Sequence, residues 1–221
     1  LAGFIAKRIE ADSLSIINIL NNDEVMKKYD LNSENASLMF IPNTYEVYWN
    51  TSAEELLNRM HSEYKKFWNE ERLQKASNMN MTPQQVGVLA SIVQQETNYL
   101  DEMDRIAGVY INRINMGMPL QADPTIVFAH GDFTINRVLK THLEINSPYN
   151  TYINKGLPPG PISLPSPQAI DRVLNYEKHD YLYFCAKEDF SGYHAFAKTL
   201  QQHLINARRY QQELNYQKIL R

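Results

Sequence analysis

The stretch TPQQVGVLASIVQQETNYLDEMDRIAGVYINRINMG, residues 82–117, reads as two successive helices. Thr82 is a good N-cap, Pro83 suits the first helical position, and Gln85 completes the start signal. The first helix is expected to run to about Thr97, with Val86, Leu89, Ala90 and Val93 as its apolar face. The second is expected over Asp101 to Met116. Its first turn carries Asp101, Glu102 and Asp104, which complement the helix dipole, and Gly117 with Pro119 forms a stop.

Towards the N-terminus, Gly3 to Tyr29 reads as two short helices with Ile5, Ile9, Leu14, Ile17 and Leu20 as a stripe and Asp12 or Ser13 as a cap. The polar run 32–35 reads as a linker. Leu38 to Trp49 alternates in the β manner: Met39, Phe40 and Ile41, a turn at Pro42-Asn43, then Tyr45, Val47 and Trp49. Thr51 or Ser52 then caps one long helix through Ala76, with Leu56, Leu57, Met60, Tyr64, Phe67 and Trp68 facing inward. Towards the C-terminus, 118–167 holds most of the prolines. A loop region this long inside a compact chain is usually functional. A helix is expected from Ser166-Pro167 to about Tyr176. A hairpin of Tyr181–Ala186 and Tyr193–Ala197 should turn at Phe190-Ser191-Gly192, and a last helix spans Thr199 to Ile219. The fold class is α+β, helix-rich with a small sheet.

Composition narrows the function. The 221 residues carry 22 Lys+Arg against 25 Asp+Glu, a net charge of −3, which gives no basic footprint for nucleic acid. Apolar residues at 43% and charged residues at 21% are ordinary globular values and exclude wholesale disorder. The single Cys185 excludes a disulfide framework and a Cys-rich zinc site. His61, His130, His142, His179 and His203 show no metal-ligand spacing, and no phosphate loop or Gly-x-Ser-x-Gly occurs, so no metal and no cofactor are expected. No apolar run nears the roughly 20 residues that cross a bilayer, so the chain as given reads as soluble. It begins at Leu1 rather than Met, and a preceding anchor or signal is expected.

Glu96 is the anomaly. At about 100° per residue it falls beside Leu89 at the edge of the apolar stripe, near the end of its helix, while Gln95 points away. Burial and the negative helix end both favour the protonated carboxyl, the form a general acid needs. The same position also suits a structural ion pair with Arg105 or Arg113, and helix geometry alone does not choose between the two.

The surrounding blocks carry a resemblance. Ala90-Ser91-Ile92-Val93-Gln94-Gln95-Glu96-Thr97, Val109-Tyr110-Ile111-Asn112-Arg113 and the run 117–125 are followed by Ser147-Pro148-Tyr149-Asn150-Thr151-Tyr152. The run 156–162, Asp180-Tyr181-Leu182-Tyr183-Phe184 and His194-Ala195-Phe196 complete the series. In this order they resemble the YceG-like (MltG) endolytic murein transglycosylases over about Phe40 to His203. Gln94, Leu164-Pro165-Ser166-Pro167 and Ala195 depart from the usual pattern and put loop details in question, not the acid.

The resemblance implies cleavage of peptidoglycan glycan strands between N-acetylmuramic acid and N-acetylglucosamine without water, with Glu96 as the catalytic acid and base and 1,6-anhydro ends as product. One well-placed carboxyl fits that route, whereas ordinary glycosidases use two. Asp123 or Glu144 would be the second carboxylate of a hydrolytic muramidase, although Asp123 suits a turn before Pro124 better. A non-catalytic glycan-binding module is the remaining alternative. Gln121 and Thr125 are candidates for orienting an N-acetyl group. Tyr149, Asn150, Thr151 and Tyr152 suit a glycan groove or a tightly hydrogen-bonded loop equally well. His194 and Phe196 share one strand face, which the family context puts beside the cleft. Residues 1–36 are expected to be the remnant of a LysM-like module and 37–221 the catalytic domain. An inner-membrane anchor outside this chain would hold that domain on the periplasmic side, among peptidoglycan synthases or division proteins.

Overall fold

The computed structural model describes residues 1–135 and 137–217. In chain order the helices are α1 (Ala2–Ile5), α2 (Ser13–Leu20), α3 (Asp23–Met26), α4 (Ala53–Phe67), α5 (Glu70–Asn78), α6 (Pro83–Glu96), α7 (Leu100–Asn115), α8 (Asp123–His130) and α9 (Pro167–Leu174). Strands β1 (Tyr183–Ala186) and β2 (His194–Ala197) and helix α10 (Leu200–Tyr216) follow. Short 3-10 turns occupy Lys27–Tyr29, Ala36–Met39 and Lys140–Glu144. The architecture is α+β, mostly helical with one two-stranded antiparallel sheet among the described residues. No described helix is long and apolar enough to cross a membrane.

The chain forms two compact units, one of Leu1–Ser91 with Pro159–Leu174, the other of Ile92–Pro158 with Asn175–Arg221. In the first, α4 starts with a capping box in which Ser52 and Glu55 exchange hydrogen bonds. Its stripe of Leu56, Leu57, Met60 and Tyr64 is buried. The single long helix expected from residue 51 to 76 is in fact two. Trp68 leaves helical geometry, and Asn69 caps α5 by accepting from the Arg72 backbone N–H at 3.0 Å. Arg72 also grips Asp171 of α9 with two hydrogen bonds of 2.8 and 2.9 Å, which fixes the direction of α5. The strand expected over Leu38 to Trp49 is absent. A 3-10 turn ends at Met39, Phe40 and Ile41 are buried, and Tyr48 and Trp49 are exposed. Alternation needs a neighbouring strand to become a ladder, and the described sheet pairs only β1 with β2.

The second unit is organised by α7. Met103, Ile106, Ala107, Tyr110 and Ile111 are buried along it. Two polar residues of α7 face inward and hold loops by their backbone. Asn112 Nδ2 donates to the carbonyls of His179 and Tyr181, at 2.7 and 3.0 Å. The Arg113 guanidinium donates to those of Leu182 and Leu120, both at 2.7 Å. In the β1–β2 hairpin Phe184 pairs with Phe196 and Ala186 with His194, and α10 packs on both strands. Thr199 caps α10 through the Gln202 backbone N–H. The expected end of that helix at Ile219 lies outside the described residues.

Candidate active site

Glu96 is the last residue of α6, whose start is fixed by reciprocal hydrogen bonds between Thr82 and Gln85. Part of its surface stays open to a cleft of about 300 Å³, while the rest is enclosed by protein. Its carboxyl Oε1 accepts a hydrogen bond from the Tyr110 hydroxyl at 2.5 Å. Neither arginine considered from the sequence pairs with it. Arg105 binds Glu177 at 2.8 Å, and Arg113 is spent on loop carbonyls. Burial is the largest influence on Glu96 and raises its pKa. The Tyr110 hydrogen bond opposes this, the Asp123 charge adds to it, and His194 and Arg113 oppose it more weakly. The result is a carboxyl raised to about 7. Such a group is part protonated at neutral pH and has carboxylate within reach, the balance that proton transfer in both directions requires.

The cleft takes one wall from α7 and the loop that follows, through Tyr110, Arg113, Leu120 and Gln121. Asp123 opens α8, and Tyr152 donates its hydroxyl hydrogen to the Asp123 carboxylate. Tyr183 and Phe184 of β1 and His203 of α10 close the other wall. His203 stacks on Tyr183 with ring centroids 5.4 Å apart, and burial, then the Arg113 charge, keep its imidazole below its usual range. Gln121 lies in the left-handed region at φ 53°, an uncommon conformation for a residue with a side chain. It is held there by its N–H on the Thr151 carbonyl and its Oε1 near Arg113.

Of the residues singled out from the sequence, Glu96, Gln121, Asp123 and Tyr152 therefore meet in this cleft. Thr125, Asn150 and Thr151 are buried and serve the loop itself. Thr151 Oγ1 accepts from the Ala122 N–H, Thr125 Oγ1 donates to the Ala122 carbonyl, and Asn150 Nδ2 donates to the carbonyls of Leu143 and Ile145. Tyr149 packs on Phe128, and Phe196 packs on Phe184; neither lines the cleft. His194 lies near Glu96 with its ring Nδ1 and backbone N both 2.8 Å from the buried Glu102 carboxylate. Glu144 is exposed and outside the cleft lining. Sequence reasoning missed Tyr110, Tyr183, Phe184 and His203. Tyr110 carried a signal, since a hydroxyl on the apolar face of α7 needs a buried partner.

This is an α+β protein in which the Glu96 carboxyl, at a helix end, faces a cleft of aromatic rings and polar side chains. The profile of the YceG-like family matches residues 5–209, and the chain belongs to that family. It is 44% identical over 115 residues, 52% of its length, to an endolytic murein transglycosylase of Bacillus subtilis. It is 36% identical over 149 residues, 66% of its length, to one of Streptococcus pneumoniae. The matched residues span only 31% and 27% of those two relatives. The crystal structure of a YceG-like protein from Listeria monocytogenes superimposes with a TM-score of 0.75 at 28% identity, covering 91% of this chain and 69% of that one.

Proposed function

We propose that this chain is the catalytic part of an endolytic peptidoglycan lytic transglycosylase. The observation that carries the reading is the Glu96 carboxyl, raised to about 7 in a cleft of aromatic and polar groups. The names of the bacterial relatives support the substrate class. With Oε1 engaged by Tyr110, Oε2 is left for the substrate. Glu96 protonates the oxygen between N-acetylmuramic acid and N-acetylglucosamine as the C–O bond breaks and positive charge develops at C1. The resulting carboxylate takes the proton from the muramoyl C6 hydroxyl, whose oxygen bonds to C1 and closes the 1,6-anhydro ring. Water is not consumed, and the acid form is restored. Tyr152, Tyr183 and Phe184 offer faces for sugar C–H groups; Gln121 and Asp123 offer hydrogen bonds.

Asp123 sustains a second reading, a hydrolytic muramidase, because a second carboxylate lines the same cleft. Product mass separates the two, since the lytic product is one water lighter. In the first reading, residues 1–36 are the remnant of a LysM-like module, a view that rests on α1 and α2 alone. A membrane anchor elsewhere in the longer protein keeps residues 37–221 on the outer side of the cytoplasmic membrane, near synthases or division proteins. The deciding experiment digests purified glycan strands with wild type and Glu96→Gln and reads products by mass. Wild type should release anhydro-ended fragments. Glu96→Gln should be slower by about 10²-fold or more, the usual contribution of a general acid. Equal cleavage by both removes Glu96 from the reaction, and bound but uncut strands with wild type point to a binding module.

A further inference from the structure

Glu96 also lines a second hollow, of about 260 Å³, that shares no other residue with the main cleft. Its walls come from the turn between α6 and α7 (Gln95, Thr97, Asn98, Tyr99) and from the β1–β2 hairpin (Gly192, His194). The walls are firmly built. Tyr99 donates its hydroxyl hydrogen to the Ser191 carbonyl at 2.8 Å and stacks on Tyr193 at a centroid distance of 4.0 Å. Gly192, at φ 83°, approaches so closely that a Cβ there would lie 3.0 Å from the Tyr99 ring. His194 is clamped through ring and backbone by Glu102, itself 3% exposed. Against this fixed frame, the side-chain amides of Gln95 and Asn98 are exposed and have no hydrogen-bond partner among the described residues.

We propose that this second hollow binds the N-acetylated amino sugar on the opposite side of the scissile bond from the sugar held in the main cleft. The inference rests on the proposed function, because an enzyme that cuts within a strand must hold sugar on both sides of the bond it breaks. Glu96 is the residue common to the two hollows, so a strand occupying both would carry its linkage across that carboxyl. The free carboxamides of Gln95 and Asn98 each offer donors and an acceptor, which matches the acetamido and hydroxyl groups of such a sugar. The main cleft differs in being rich in aromatic faces and in carrying Arg113 and Asp123.

The test uses a ¹⁵N-labelled Glu96→Gln chain titrated with a β-1,4-linked N-acetylglucosamine tetramer and followed by NMR. The side-chain amide signals of Gln95 and Asn98 should move along the same binding curve as that of Gln121. Replacing both exposed residues (Gln95→Ala with Asn98→Ala) should weaken tetramer binding about tenfold, as the loss of two ordinary hydrogen bonds implies. If the Gln95 and Asn98 signals stay still at saturating tetramer while wild type cleaves strands, the inference fails and the proposed function stands. Loss of both tetramer binding and strand cleavage overturns the proposed function itself.

Discussion

Glu96 owes its chemistry to four neighbours and to its depth. Tyr110 and Arg113 reach it from α7, Asp123 from the start of α8, and His194 from β2. Of these, the Tyr110 hydroxyl has the largest effect, and it favours the charged form. Removing it with Tyr110→Phe leaves burial and Asp123 less opposed, so the Glu96 pKa rises further. The protonated donor then survives to higher pH, and the alkaline limb of the kcat/KM profile should move up by about one pH unit, the worth of a hydrogen bond to a charged group. A fall in kcat/KM with an unmoved alkaline limb would show that Tyr110 acts by packing alone. Asp123→Asn should move the limb the other way, because it removes a charge that raises Glu96.

At the scale of elements, α7 does most of the positioning, and Gly108 shows how tightly it is seated. A Cβ on Gly108 would lie 2.4 Å from the Glu177 carbonyl oxygen and 2.7 Å from His179 Nε2. His179 meanwhile contacts the Arg105 carbonyl at 2.9 Å, and the Glu177 N–H donates to the Asp104 carbonyl, so the facing segment has no room to retreat. In an open helix Gly→Ala stabilises by about 1 kcal/mol. Here Gly108→Ala should instead destabilise by about 1–3 kcal/mol, seen as a lower urea midpoint. The starts of α4, α6 and α10 were readable at Ser52, Thr82 and Thr199, because helix starts are set by local chemistry. The break at Asn69 was not, since the aromatic stripe ran through it and the direction of α5 depends on Asp171, far away in sequence.

For the whole molecule, the site sets a pH dependence of stability. Glu96 goes from a carboxyl of ordinary pKa 4.5 when unfolded to about 7 when folded. The folded state therefore favours the bound proton. That contribution is fully present below the unfolded value and is lost as pH rises through about 7, a decline of about 3 kcal/mol. Glu96→Gln does not titrate, so it should gain on wild type in Tm as pH is raised from 4.5 to 8.5, by roughly 5–10 °C. A Tm difference independent of pH would show that the folded carboxyl titrates normally. Glu102 works in the opposite sense: burial raises it, but the His194 hydrogen bonds, the His194 charge and a Thr97 hydrogen bond together outweigh burial and leave it lowered. Its share of stability is thus present at neutral pH and lost in acid.

By itself, the sequence determined what depends on neighbours along the chain. Helix starts, the turn at Gly192, the stripe of α6 and the placing of Glu96 at a helix end all follow from spacings of a few residues. Tertiary structure decided what depends on residues far apart in sequence. It gave Glu96 the Tyr110 hydroxyl rather than an arginine and turned Asn150 and Thr151 into loop supports while Tyr152 faced the cleft. It also left 40–49 without a partner strand. A hydrogen bond or a β ladder needs a second group brought from elsewhere, and no local pattern states which group that will be.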